Sequence, residues 1–158
     1  MSSSTVVLEE AIARQRKWDK RFLEVAQLVS TWSKDPSTKV GALIVDDGRI
    51  VSLGYNGFAQ AMPDVNEHYE DRNEKYSRIV HAEVNAIMLA HRSVKGMTLY
   101  VSPLIPCDRC AVQVIQAGIA RIVAPKVTGD LAERWEPVLK KSRRYFAEAC
   151  VTLVEGLE

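Results

Sequence analysis

The sequence has 158 residues, of which 47% are hydrophobic and 26% are charged, and this composition excludes a disordered or collagen-like chain. Lysine and arginine number 21 against 20 aspartate and glutamate residues, for a formal net charge of +1, which argues against a surface built throughout to bind nucleic acid. Glu9 and Glu10 interrupt the apolar run near the N-terminus, so we expect no secretory signal, no membrane span and a cytoplasmic location.

The three cysteines are Cys107, Cys110 and Cys150. An odd number in a chain of this size is a poor disulfide framework, and a reducing compartment would keep the thiols free. Cys150 begins a predicted strand, where we expect a small buried apolar residue. The other two cysteines therefore need a chemical role.

The N-terminal quarter of the chain is predicted to be helical after a frayed terminus at residues 1–13. Apolar side chains recur at helical spacing from Trp18 and predict one buried helix face that ends before Asp35-Pro36. The residues of this face are Trp18, Phe22, Val25, Val29 and Trp32.

The next segment has the pattern of a β-hairpin. Two apolar runs, residues 40–45 and 50–53, flank an Asp-Gly turn at 46–49. The glycine-rich residues 54–57 do not suit an interior strand. Residues 59–78 then form a polar segment whose length is uncommon in a compact domain unless it is functional or carries structure of its own.

Helix and strand periods alternate in the second half of the chain. We predict helices at 80–90, 107–117 and 131–149, and strands at 97–102, 119–124 and 150–154. This order produces right-handed crossovers and a parallel portion of sheet, with the hairpin antiparallel to it. We therefore expect an α/β fold in a single domain over residues 1–158: a three-layer α/β/α sandwich with a central mixed sheet of about five strands.

Two motifs stand at the beginnings of consecutive predicted helices: His81-Ala82-Glu83 and Pro106-Cys107-Asp108-Arg109-Cys110. Cys107 and Cys110 would project from one face of a first helical turn, where the helix N-terminus lowers thiol pKa values and favours the metal-binding thiolate. By itself, this Cys-x-x-Cys spacing also fits a redox pair or half of a zinc knuckle.

His81 favours the metal site. In parallel α/β folds the helix N-termini lie outside the carboxyl ends of the strands, so His81 would meet the two thiolates there. Three zinc ligands leave a fourth position for water, as in catalytic sites. Glu83 would lie beside that water and could take and pass on its proton. The combined H-x-E and P-C-x-x-C pattern matches the zinc deaminase signature.

On these motifs the chain resembles the cytidine deaminase-like superfamily, and within it the deoxycytidylate (dCMP) deaminases. The similarity includes the S-K-D-P sequence at 33–36 and the G-Y-N-G sequence at 54–57, and extends over residues 18 to 124. Residues 59–78 depart from the pattern, because they lack the aspartate and Pro-Trp elements that are usual there.

The resemblance implies a cytidine deaminase-like fold, one Zn²⁺ per subunit and a pyrimidine mononucleotide substrate. The implied reaction converts dCMP to dUMP and ammonia by zinc hydroxide attack at C4, with Glu83 shuttling a proton to N3 and the leaving amine. Backbone contacts to the base from Ala82, a sugar contact from Asn56 and an apolar wall at Val40 are further implications. The candidates for the phosphate contact are Ser33, Lys34 and Arg109.

The resemblance also implies a homo-oligomer, a hexamer in many relatives, with a dimer or tetramer as alternatives. The apolar side chains around Val112, Val114 and Ile115 would suit a subunit contact, and they would equally suit the core. Alternative substrates are C5-modified dCMP, dCTP, free cytidine or deoxycytidine, a tRNA adenosine and a purine. A different class of function stays open: a non-catalytic structural zinc module, if Cys150 supplies a fourth ligand.

Overall fold

The computed structural model of the chain describes residues 3–157, with side chains from residue 4. In chain order its elements are α1 (Ser3–Ser30), β1 (Gly41–Asp46), β2 (Arg49–Tyr55), β3 (Gly57–Phe58), α2 (Asn66–Glu70), α3 (Arg72–Arg78), β4 (Ile79–Val80), α4 (Ala82–Leu89), β5 (Thr98–Ser102), α5 (Asp108–Gln116), β6 (Arg121–Ala124), α6 (Gly129–Glu148) and β7 (Thr152–Glu155).

The central sheet has five strands in the order β2-β1-β5-β6-β7. β1 is antiparallel to both β2 and β5, whereas β5, β6 and β7 are parallel to one another. The predicted mixed sheet, with its antiparallel hairpin and parallel crossover strands, is confirmed. The carboxyl ends of β5 and β6 therefore lie at one edge of the sheet, close to where α5 begins.

Helices cover both faces of the sheet. The side chains of β1, which point alternately to the two faces, show the resulting three layers of helix, sheet and helix. Leu43 packs in a cluster with Phe22 of α1, while the next residue, Ile44, packs with Val114 of α5 and Phe146 of α6. Successive side chains of a strand point to opposite faces, so the α/β/α sandwich is confirmed. Burial of each such side chain contributes roughly 1.5–3 kcal/mol.

The first helix is longer than the sequence predicted. It begins at Ser3, so the prediction of a frayed terminus is wrong for residues 3–13, while Met1 and Ser2 lie outside the described residues. Residues 4–18 are all exposed, so no buried face marks this part of the helix in the sequence. The helix ends at Ser30, ahead of Asp35-Pro36.

Only part of the predicted helix face is core. Phe22 and Val29 are buried, but Trp18 is 43% exposed and Trp32 is 50% exposed. Trp32 lies beyond the end of α1, where its ring meets the ring of Tyr55 edge to face at 6.0 Å. The helical spacing places these side chains on one side of the helix, but it does not show how much of that side packs on the sheet.

The polar segment 59–78 carries structure of its own, α2 and α3. Its anchor is Tyr69, which is buried and stacks on Phe58 with ring centroids 4.0 Å apart. Asp71 caps α3 by accepting hydrogen bonds from the backbone amides of Asn73 and Glu74. The segment is thereby held against β3, beside the loop that precedes α4.

A small second sheet joins this region to the rest of the fold. β3 pairs antiparallel with β4, with Gly57 opposite Val80 and Phe58 opposite Ile79. This sheet is not predicted from the sequence, because strands of this length contain no detectable period. Its effect is to bring the end of the G-Y-N-G sequence directly beside His81.

The position of Cys150 also differs from the prediction. It is exposed, in the turn between α6 and β7, with φ of 56°, so the prediction of a buried residue is wrong. None of the helices within residues 3–157 combines the length and apolar character needed to cross a bilayer.

Candidate active site

The two motifs of the sequence analysis lie at two helix N-termini. His81 is the N-cap residue of α4 and has an extended backbone, and its side chain makes no capping hydrogen bond. Cys107 is the N-cap residue of α5, and its sulfur accepts a hydrogen bond from the Cys110 amide. The imidazole is consequently free to face the two thiols.

The three side chains meet. His81 Nδ1 lies 3.6 Å from Cys107 Sγ and 3.2 Å from Cys110 Sγ, and the three ligand atoms all lie within 4.8 Å of one another. Tetrahedral zinc with ordinary Zn–N and Zn–S bond lengths separates such atoms by roughly 3.5–3.8 Å. One imidazole nitrogen and two sulfurs are also a donor set that suits zinc, so these residues fit the metal in both chemistry and spacing.

The pKa values of the two thiols favour the binding of a cation by this group. The hydrogen bond from Cys110 lowers the pKa of the Cys107 thiol to about 4, against the effect of burial and with help from His81. The same hydrogen bond and burial raise the pKa of Cys110. A divalent cation bound by the two sulfurs would ionise both thiols.

Glu83 lies in the first turn of α4 and is 3% exposed. Burial raises the pKa of its carboxyl to about 6, although the neighbouring His81 opposes this shift. A carboxyl with a pKa near neutrality can both accept and return a proton at physiological pH. Raised carboxyl pKa values of this kind are typical of catalytic sites.

A small pocket opens at this group. The predicted site residues that line it are Val40, Asn56, His81, Ala82, Glu83 and Cys107. Ala82 is fully buried. Apolar walls with a few convergent polar groups are the usual form of a small-molecule site.

Asn56 organises one wall of the pocket. Its Nδ2 donates to the Thr38 carbonyl at 2.9 Å, and its Oδ1 accepts from the Val40 amide at 2.8 Å. Ser33 is buried and donates its hydroxyl to the Asn56 carbonyl at 2.7 Å. Ser33 therefore holds the backbone of Asn56, and Asn56 holds the loop that carries Val40.

The two predicted phosphate-binding cations lie elsewhere. Among the described residues that line the pocket, neither Lys34 nor Arg109 occurs. Lys34 is exposed and forms an ion pair with Asp64 at 2.7 Å, and Arg109 is exposed on α5. The structure does not bring either side chain to the candidate site.

Several residues that line the pocket were not predicted as site residues, among them Lys75, Tyr76 and Trp135. Lys75 Nζ is buried, 3.2 Å from Asp35 Oδ1 and 3.0 Å from Ser37 Oγ. For Lys75 and Tyr76 the available signal was the length of the polar segment 59–78, which suggested function without indicating which residue faces the pocket; Trp135 lies outside that segment, in α6.

The fourth-ligand role considered for Cys150 does not fit the structure. The metal-binding group found among the described residues consists of His81, Cys107 and Cys110, while Cys150 is exposed in the α6–β7 turn. This arrangement removes the argument for a closed structural zinc module.

Comparison with known proteins agrees with the geometry. Residues 16–126 match the profile described as the cytidine and deoxycytidylate deaminase zinc-binding region. The chain is 42% identical over 135 residues to an uncharacterised deaminase of the luxG 3′ region of Aliivibrio fischeri, covering 85% of this chain and 90% of that protein. It is 40% identical over 114 residues to human deoxycytidylate deaminase, covering 68% of this chain and 64% of the human protein.

Among solved structures, the dCMP deaminase of cyanophage S-TIM5 in its apo form has a TM-score of 0.67 to this chain. The two are 21% identical in sequence, and the match covers 87% of this chain and 95% of the phage chain. The same phage enzyme in complex with dCMP and dUMP has a TM-score of 0.66 at 20% identity, over 86% of this chain and 94% of that one. These structures share the fold of the chain.

Proposed function

Because this chain belongs to the cytidine and deoxycytidylate deaminase family, we propose that it is a zinc-dependent hydrolase that converts dCMP to dUMP and ammonia. The observation that carries the proposal is the convergence of His81, Cys107 and Cys110 on one point, at a pocket that also buries Glu83. The relatives named deoxycytidylate deaminase support the choice of substrate.

The metal would be held by His81 Nδ1 and the sulfurs of Cys107 and Cys110. When bound, zinc lowers the pKa of water towards neutrality and so supplies a nucleophile at physiological pH. The helix N-terminus of α5 stabilises the thiolates, since its partial positive charge favours the anionic form.

Glu83 moves the protons. In the hydrolysis, the C4–N bond of the cytosine ring breaks, a C4–O bond forms, and the amino group leaves as ammonia. The Glu83 carboxylate takes a proton from the attacking water and delivers it to ring N3. It then carries the second proton of that water from the C4 hydroxyl to the departing amine as the C4=O bond forms. Its raised pKa, about 6, suits a group that acts alternately as base and acid.

The rest of the pocket positions the base. Val40 and Ile105 provide apolar surface, which excludes water from the ring and strengthens nearby polar interactions. Ala82 and Asn56 both line the pocket, and we propose that the Ala82 backbone contacts the base and that Asn56 contacts the sugar. Asn56 Oδ1 uses one acceptor position for the Val40 amide and keeps a second for a sugar hydroxyl.

The assembly is also part of the proposal: one zinc per subunit, in a homo-oligomer. Met88 and Leu89 of α4 and Val112 of α5 are exposed by 66%, 52% and 52%. Clusters of exposed apolar side chains are typical of subunit contacts. Of the predicted packing surface, Val114 is fully buried in the core, so Val112 is the residue of that set that would contact a partner. A hexamer, dimer or tetramer would each cover this surface.

The test combines metal analysis with a substrate panel. We expect one zinc per chain by elemental analysis, and ammonia release from dCMP that stops on chelation and returns with added zinc. The panel also contains deoxycytidine, a C5-substituted dCMP and dCTP, and we expect the highest kcat/KM for dCMP. Zinc-loaded protein that releases ammonia from none of these would contradict the proposal. Sedimentation of the same sample measures the oligomeric state.

A further inference from the structure

The candidate site continues into a second cleft on its outer side. The inner pocket has a volume of about 60 Å³ and the outer cleft about 580 Å³. Since one water molecule needs roughly 10–15 Å³ of such space, the inner pocket holds no more than the base. The phosphate of a nucleotide must therefore lie further out.

The inner pocket and the outer cleft share one wall. Both are lined by Ser37, Thr38, Lys75, Tyr76 and Trp135. A nucleotide whose base lies beside Glu83 can extend along these residues into the outer cleft and stay in contact with the protein. The outer cleft is therefore the continuation of the site, between α3 on one side and α6 on the other.

The outer cleft presents cationic side chains. Arg72 lies at the start of α3 and Arg134 is in α6, and both line the cleft and are exposed. Among the described residues, neither guanidinium has an ion-pair partner, and Arg72 lies over the ring of Tyr76 at 5.4 Å from its centroid. Glu70 is the acidic residue that lines the same cleft.

Lys75, the third cation that lines the cleft, is less available to bind an anion. The ammonium of Lys75 already faces the carboxylate of Asp35 at 3.2 Å, with both side chains buried. Its charge is thus largely balanced within the protein, whereas those of Arg72 and Arg134 are not. Guanidinium groups are well suited to phosphate, because they form paired hydrogen bonds to its oxygens.

We infer that Arg72 and Arg134 recognise the phosphate of the substrate nucleotide and so determine specificity for a nucleotide over a nucleoside. This inference rests on the proposed function. It assigns the recognition of the anion to the segment 59–78, where the chain departs from the family pattern, and to α6. Lys34 and Arg109 have no part in it, because they do not line either cavity.

The experiment measures kcat and KM of the full-length, zinc-loaded protein for dCMP and for deoxycytidine. The variants are Arg72→Gln, Arg134→Gln and the double substitution, with Arg144→Gln as the matched control on α6, where Arg144 lies near Glu148 on the surface. Lys34→Gln and Arg109→Gln test the alternative cations. Thermal unfolding checks that each variant is folded.

We expect each single substitution at Arg72 or Arg134 to raise KM for dCMP about tenfold, and the double substitution to raise it further. Activity on deoxycytidine stays at the wild-type level in all variants, and the control variant matches the wild type on both substrates. Added salt should raise KM for dCMP in the wild type more than in the double variant, since salt screens exposed charges.

The outcomes separate the inference from the proposed function. An unchanged KM for dCMP in the double variant, or an equal loss on deoxycytidine, would overturn the assignment of the phosphate while leaving the deaminase intact. A wild type equally active on both substrates would overturn it too. A wild type inactive on every cytosine compound would instead overturn the proposed function and, with it, the inference.

Discussion

The ammonium nitrogen of Lys75 lies 3.2 Å from the Asp35 carboxylate, and both side chains are more than nine-tenths buried. The carboxylate also accepts hydrogen bonds from the amides of Ser37 and Thr38. This pair joins α3 to the loop that forms one wall of the pocket. It therefore couples the polar segment 59–78 to the position of the loop beside the reacting groups.

Replacing Lys75 by methionine should destabilise the protein by about 3 kcal/mol or more, because it leaves the buried Asp35 carboxylate without its counter-ion. The free energy of unfolding in urea measures this change. Lys140→Met, at an exposed position of α6, is the control and should change stability little. If the ion pair carries the effect, Asp35→Asn will cost less in the Lys75→Met protein than in the wild type. Additive costs would show that the two residues act separately.

Replacing Glu83 by glutamine should lower kcat by about a hundredfold to ten-thousandfold while leaving zinc content unchanged, because the amide cannot transfer the proton. Ammonia release and elemental analysis of the same preparation give the two quantities. Glu133→Gln, an exposed position of α6, serves as control. Turnover by the Glu83 variant at the wild-type rate would refute the proton-transfer role.

Gly54 of β2 permits α4 to lie close to the sheet, because a Cβ at this position would stand 2.5 Å from both the Ala82 carbonyl oxygen and the Ala86 amide nitrogen. Gly54→Ala must displace α4, which begins next to His81 and carries Glu83. We expect a loss of roughly 1–3 kcal/mol in stability, together with weaker zinc binding and lower kcat.

The control for this substitution is Gly57→Ala, since a Cβ at Gly57 meets nothing within 4 Å. Thermal unfolding and zinc titration of both variants give the comparison. Equal effects of the two substitutions would mean that the contact between β2 and α4 does not position the zinc ligands.

Asp19 of α1 should make stability depend on pH. Burial tends to raise the pKa of its carboxyl, but hydrogen bonds from Arg121, Tyr100 and Gln15 outweigh burial and hold the pKa below its usual value. Arg121 contributes two of these bonds, at 2.8 and 2.6 Å. The ionised form is thus favoured in the folded protein.

A carboxyl whose pKa is lower in the folded state stabilises the fold fully above its unfolded pKa of about 3.9, and this stability is lost as pH falls through the folded pKa. We therefore expect the stability advantage of the wild type over Asp19→Asn to be largest near about pH 6 and to narrow on acidification below about pH 4. Urea unfolding across this range measures it, with Asp47→Asn in the exposed β1–β2 turn as control. A difference that stays constant with pH would argue against the Asp19 contribution.

The fold class and the zinc-binding group could both be predicted from the amino-acid sequence alone. Its apolar periods follow the strands and crossover helices, and the fold places the N-termini of α4 and α5 at one edge of the sheet. His81 and Glu83 are two residues apart, and Cys107 and Cys110 are three apart. Local spacing predicted which residues of each motif share one helical turn, and the α/β order of the elements predicted that the two turns would meet.

The other side chains that face the pocket could not be predicted from the sequence, because their positions depend on how distant elements pack. Lys75 meets Asp35 from a position forty residues away in the chain, and Arg72 and Arg134 share a cleft although they belong to α3 and α6. Such contacts cannot be recognised from a periodic pattern in the sequence, because they depend on how the helices and strands pack against one another after they form. For the same reason Lys34 lies outside the pocket despite its place in the S-K-D-P motif, and Cys150, at the start of a predicted strand, lies in an exposed turn.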